Sequence, residues 1–172
     1  MSKLHIIKTP HGKMVRKECY PVQRILREVQ FKNKHDGKWT KSNFDGDKMN
    51  MASDRYKLFA KKGCKCCVCG IEGFYFAKER FFYNKSPLFH FNLYGLSESG
   101  EEVLLTKDHI IPKSRGGEDH QDNYQVMCQP CNEAKSNKMP ADLYTPAEFH
   151  DWVAEEEFRE QLEAGAIEVV YE

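Results

Sequence analysis

Two cysteine pairs, each with two residues between the partners, constrain this chain more than any other feature: Cys66-Cys67-Val68-Cys69 and Cys128-Gln129-Pro130-Cys131. Four thiolates at this spacing match a closed tetrahedral zinc site, in which the two intervening residues let backbone amides wrap the ion in a tight turn. Such a site pins the long segment between the pairs at both ends. Cys64-Lys65-Cys66-Cys67 also reads C-x2-C, so the first pair is open between Cys64/Cys67 and Cys66/Cys69. Gly70, directly after Cys69, favours the latter, because glycine relieves strain in such a knuckle. With four sulfurs closing its sphere, this zinc is expected to organise structure and perform no chemistry. Disulfides are not expected in a reducing compartment, and the isolated Cys19 reads as a small buried hydrophobe.

Charge is the second constraint. The 172 residues hold 26 Lys plus Arg against 26 Asp plus Glu, a balance that taken whole argues against a nucleic-acid partner. The charges are not evenly spread. Residues 1–62 carry 16 basic and 6 acidic side chains, residues 63–139 carry 9 and 10, and residues 140–172 carry 1 and 10. An anionic partner is therefore expected at the basic end. Three regions follow: a basic extension over 1–62 suited to an anionic partner, a near-neutral core over 63–139, and an acidic C-terminal helix with a short strand over 140–172. Hydrophobic content of 40% is that of a globular chain. No apolar run approaches the ~20 residues needed to span a bilayer, and Met1–His5 lacks a signal-peptide stretch. The expectation is a cytoplasmic protein with no membrane partner.

Local patterns place the elements. Pro21–Gln30 predicts a short helix burying Val22, Ile25, Leu26 and Val29. Lys32–Asp47 predicts loops around a short strand at Trp39. Ser53 caps a helix running to about Lys62 and stopped by Gly63. Residues 74–94 concentrate aromatics and predict sheet and core packing. Strands are expected at Phe89–Leu93 and Glu102–Thr106, joined by a turn over 95–101. Two further strands flank the loop Pro112–Asp122, where Gly116-Gly117 forces a turn, and Asn132–Asn137 reads as helical. Thr145-Pro146-Ala147-Glu148 is a capping box opening a helix to about Ala164, and Ala166–Tyr171 adds a strand.

Between the cysteine pairs lie Asp108-His109, Gly116-Gly117, Asn123, and then Asn132 directly after Cys131. Cleaving a phosphodiester needs a nucleophile, stabilised phosphoryl oxygens and relief for the leaving oxygen. Histidine is the side chain whose ordinary pKa lies near neutrality, so His109 suits the base that activates water. A carboxylate oxygen from Asp108 and an amide oxygen from Asn132 would form a hard ligand pair, favouring Mg²⁺ or Mn²⁺. On an extended segment Asp108 and His109 point to opposite faces, so a bend is expected there. Lys113, Arg115 and Lys135 sit where backbone phosphates would pass.

These residues, in this order inside a zinc frame, resemble the HNH endonuclease family, over roughly residues 60–138. The stretch is similar to small HNH proteins encoded by bacteriophages. The resemblance implies an α+β protein with a ββα-metal core stapled by the four-cysteine zinc site. It implies that Asp108 and Asn132 hold the catalytic metal, that His109 is the base, and that Asn123 braces the loop and orients the histidine. The family often carries histidine where this chain has Asn132, which should weaken binding of softer metals. The implied substrate is DNA, in double-stranded form, cut to leave a 5′-phosphate and a 3′-hydroxyl. A homodimer or a phage protein partner would fit a single active site facing two strands. Two alternatives are a non-catalytic zinc-stabilised nucleic-acid-binding module and a phage structural or packaging component.

Overall fold

The computed structural model describes residues 4–9, 12–31, 41–83 and 88–139. The acidic C-terminal helix, the strand after it and the strand at Trp39 lie outside these residues.

A six-stranded antiparallel sheet organises the described residues, in the order β1 (His5–Thr9), β2 (Gly12–Pro21), β5 (Gly73–Phe81), β6 (His90–Leu96), β7 (Glu102–His109), β8 (Tyr124–Cys128). A small hairpin, β3 (Ser42–Phe44) and β4 (Asp47–Met49), lies apart from it. Antiparallel pairing suits the short connections: β6 and β7 are joined by a tight turn in which Gly100 takes a positive φ of 80°. No cut in the sheet falls at residue 62, since β2 of the basic third pairs directly with β5.

One face of the sheet buries the main core. Phe76, Phe91, Leu93, Leu105, Tyr124 and Val126 pack against Phe44 and Met49 of the hairpin, Ile25 of α1 (Val22–Leu26), and Tyr56, Leu58 and Phe59 of α2 (Asp54–Lys62). Burying side chains of this size contributes about 1.5–3 kcal/mol each. The expected α2 is found where its caps place it: the Tyr56 amide donates to Ser53 Oγ at 3.4 Å, and Gly63 leaves the helix at a φ of 83°.

Several expectations from the sequence are corrected by the fold. The aromatic stretch divides: Phe76, Phe91 and Tyr94 are buried, whereas Phe74, Phe81, Phe82 and Tyr83 are exposed. Alternation and strand ends expose residues that composition alone assigns to a core. Cys19 is exposed, not buried. Only one further strand flanks the Pro112–Asp122 loop, because β7 runs unbroken from Glu102 to His109. The last described helix, α3, spans Gln129–Lys135, earlier than expected, because Pro130 in its first turn starts it directly at Cys128. Among the described residues no helix is long and apolar enough to cross a membrane.

Candidate active site

The knuckle forms where the hairpin-like turn before β5 meets the end of β8. The Cys66 amide donates to Ile71 O at 2.9 Å, the Cys67 amide to Val126 O at 2.9 Å, and the Gly70 amide to Cys66 O at 3.0 Å. Gly70 holds a φ of 73°, the left-handed conformation this turn requires. The result brings Sγ of Cys66, Cys69, Cys128 and Cys131 within 4.8 Å of one another. Cys69 and Cys128 are 3.6 Å apart. Zinc with Zn–S bonds of about 2.3 Å sets tetrahedral sulfurs about 3.8 Å apart, so these four could hold a metal such as zinc. The open register therefore resolves to Cys66 and Cys69. Cys67 instead points to Gln125, and burial pushes its thiol up to about 11. Burial also raises Cys66, but the amides of Cys128, Cys69 and Val68 outweigh it and bring that thiol down to about 7.

β7, β8 and α3 carry the other candidates. The β7–β8 ladder is regular through Asp108–Gln125 and His109–Tyr124. The expected bend between Asp108 and His109 is therefore absent, and the chain turns only after His109. The two side chains stand on opposite faces. Asp108 faces α3: it is 7% exposed, and its Oδ2 accepts from Gln125 Nε2 at 2.8 Å and faces Lys135 Nζ at 3.0 Å. Asn132, in α3, lies along the same seam. Its Nδ2 donates to Thr106 Oγ1 at 2.9 Å, while that hydroxyl donates to Met127 O at 2.8 Å. Since the Thr106 proton is committed to Met127, Asn132 must present its nitrogen there, and its Oδ1 makes no hydrogen bond among the described residues.

His109 faces the main-core side, edge-on to the Tyr124 ring at 4.9 Å. Its Nε2 lies 2.8 Å from Asp119 Oδ1. A carboxylate only accepts, so Nε2 is the donor in this contact. Lys113, which also pairs with Asp119, and His109 together hold the Asp119 carboxyl well below its usual range.

The loop between β7 and β8 is locked by Asn123. Its Oδ1 accepts from the Ile111 amide at 2.8 Å, and its Nδ2 donates to the carbonyls of Ile111 at 3.1 Å and Glu118 at 3.0 Å. A Cβ on Gly117 would stand 1.8 Å from Ile111 O, so this close approach requires glycine. Of the three cations expected at phosphates, Lys113 and Arg115 are exposed on a short 3-10 turn, Lys113–Arg115. Lys135 is not at the surface. It is 4% exposed, and its ammonium donates to His109 O at 2.7 Å besides facing Asp108. Sequence reasoning missed Asp119, Thr106, Gln125 and Lys107, which are ordinary polar residues until the ladder aligns them.

Asp108 and His109, on opposite faces, both lie at the end of β7 beyond its pairing with β6. Pairing with β6 ends at Leu93–Leu105, so β7 from Thr106 to His109 has no paired strand on that side among the described residues. A ligand straddling that edge can be reached from both faces. A family model described as HNH endonuclease matches residues 97–146. No curated protein and no solved structure matches the chain significantly. The matched segment, which builds β7, the Asn123 loop, β8 and α3, is thus similar to the HNH endonuclease family.

Proposed function

We propose that the protein is a metal-dependent endonuclease that hydrolyses DNA phosphodiester bonds, with double-stranded DNA as substrate. The observation that carries this is the arrangement at the open end of β7: a histidine held through Nε2 by Asp119, with no hydrogen bond at Nδ1 among the described residues, on a strand whose other face carries Asp108 beside Asn132 of α3. Asp108 Oδ1, which has no hydrogen bond among the described residues, and Asn132 Oδ1 would be hard oxygen donors of the kind a divalent ion takes. Mg²⁺ or Mn²⁺ held there would offset charge on the phosphoryl and leaving oxygens.

The chain's own residues supply the rest. His109 Nδ1 takes one proton from a water, whose oxygen attacks phosphorus as the bond to the 3′ oxygen breaks. The departing 3′ oxygen takes a proton from solvent, so the products are a 5′-phosphate and a 3′-hydroxyl. Asp119 holds the imidazole against rotation. Lys135 fixes the backbone of His109 from beneath, and Asn123 holds the loop that carries Asp119. Lys113 and Arg115 flank the path of the nucleic-acid backbone. Zinc at the four cysteines ties β8 and the start of α3 to the knuckle, so that Asn132 keeps its place.

Incubating supercoiled plasmid with protein and Mg²⁺ or Mn²⁺ tests the reading. Wild type should relax or linearise the plasmid, and His109→Ala should cut about 10²–10⁴-fold more slowly while still retarding DNA. Equal inertness of both proteins would leave a non-catalytic binding module.

A further inference from the structure

Where β6 and β7 separate, a cleft of about 420 Å³ opens on the main-core side of the sheet, between β7, the start of β6 and the start of α2. Lys107, Arg55, Ser53, Asn50 and His90 line it together with Asp54. Lys107 lies two residues before His109 on the same face of β7, about 6.7 Å along the strand, and its ammonium rests 3.6 Å from the centre of the Tyr124 ring. Among the described residues no carboxylate is in ion-pair contact with it. Arg55 is a fixed cation: its guanidinium donates to Phe91 O at 2.6 Å and Asn92 Oδ1 at 3.2 Å. The Ser53 hydroxyl accepts from the Tyr56 amide and keeps its proton to donate. Asn50 accepts from the Ala52 amide through Oδ1 and keeps its amide protons. The opposing carboxylate, Asp54, has Lys57 3.5 Å away. Burial, then the charge of Arg55, holds His90 down at about 4, so it adds no positive charge.

The cleft thus offers two cations and two uncommitted donor groups, next to the proposed base and continuous with the open edge of β7. We propose that it seats a backbone phosphate of the nucleic acid, adjacent to the one being cleaved, with Lys107 as the pairing cation. The assignment rests on the nuclease reading for the identity of the ligand. The sugar–phosphate chain would then cross the β7 edge at His109 and continue over Lys107 towards α2.

Binding of a labelled duplex by the full chain, measured against salt, tests this. His109→Ala serves as the background so that cleavage does not interfere. Adding Lys107→Gln should lower the slope of log affinity against log salt by about 0.9, and weaken binding by roughly eightfold near 0.1 M salt. Lys107→Arg should restore both, which excludes a folding defect as the cause. An unchanged slope in Lys107→Gln, or no duplex binding by the background protein, overturns the proposal. A wild type that fails to cut while the Lys107-dependent slope persists would sink the nuclease reading and leave the phosphate site standing.

Discussion

Two regions of this molecule are rich in charge, and they treat it in opposite ways. In the first, β2, β5, β6 and β7 enclose ions that are fully answered. Glu79, with no exposed surface, receives Arg16 Nε at 2.6 Å, Asn92 Nδ2 at 2.7 Å and Tyr94 OH at 2.9 Å. Arg16 spends its remaining nitrogens on Glu102 at 2.6 and 3.0 Å. On the other face Lys78, equally buried, meets Glu18 at 2.6 Å, Asp47 at 2.8 Å and Phe44 O at 3.0 Å. In the second region, the end of β7, charges are held at one atom and, among the described residues, left without a hydrogen bond at another: Nε2 but not Nδ1 of His109, Oδ2 but not Oδ1 of Asp108, and a ring in place of a carboxylate at Lys107. A closed network specifies a fold, because every buried charge would be costly if its partner left. An incompletely satisfied one is where a ligand finds something to bind.

Removing a metal-holding sulfur should separate the regions most sharply. Cys128→Ser is expected to abolish zinc binding, measured as metal per chain, and with it nuclease activity, since structural zinc contributes folding free energy directly. Retained sheet signal by circular dichroism would confine the damage to the end of β7, β8 and α3, whereas full activity without bound metal would break the assignment. Next in size is the closed network. Glu79→Gln leaves Arg16 short of a buried partner and should cost about 3–5 kcal/mol in denaturant unfolding. The same variant should cut DNA at the wild-type rate per folded molecule, and a kinetic defect without lost stability would erase the distinction between the regions. Asp119→Asn should do the reverse, lowering kcat about 10–100-fold with little change in KM or melting temperature. The smallest effect concerns pH. His90 is held near 4 by burial in the fold, against an ordinary 6.5, so the unfolded chain takes up the proton first. Stability should therefore fall as pH drops from 6.5 towards 4, and His90→Gln should lose less over that interval than wild type. An equal loss would show that His90 is not the group responsible.

Covalent spacing and local chemistry were legible before any coordinates. The C-x2-C pairs announced a four-sulfur site, Ser53 and Gly63 marked the ends of α2, and the order Asp108-His109, Gly116-Gly117, Asn123, Asn132 pointed to the family that matches residues 97–146. Each is a property of neighbours along the chain, where a glycine's conformational freedom or a thiol's affinity for metal acts over a few residues. Lys135 shows where that reach ends. As a sequence symbol it is a surface cation beside a helix, yet the β7–α3 packing folds it inward onto Asp108 and the carbonyl of His109. Asp119 and Asp122 look equivalent in the same loop, and only the position of β7 against that loop sets Asp119, and not Asp122, on the histidine.

The sequence by itself determined that this chain would gather four cysteines into a sulfur knuckle and carry a segment similar to the HNH endonuclease family, because those follow from residue type and short spacing. The tertiary structure alone decided which face each side chain uses, where the β6–β7 ladder stops, and therefore which charges are closed off and which stay open. Those depend on strand register, in which a shift of one residue exchanges the two faces of a sheet, and no local pattern along the chain encodes it.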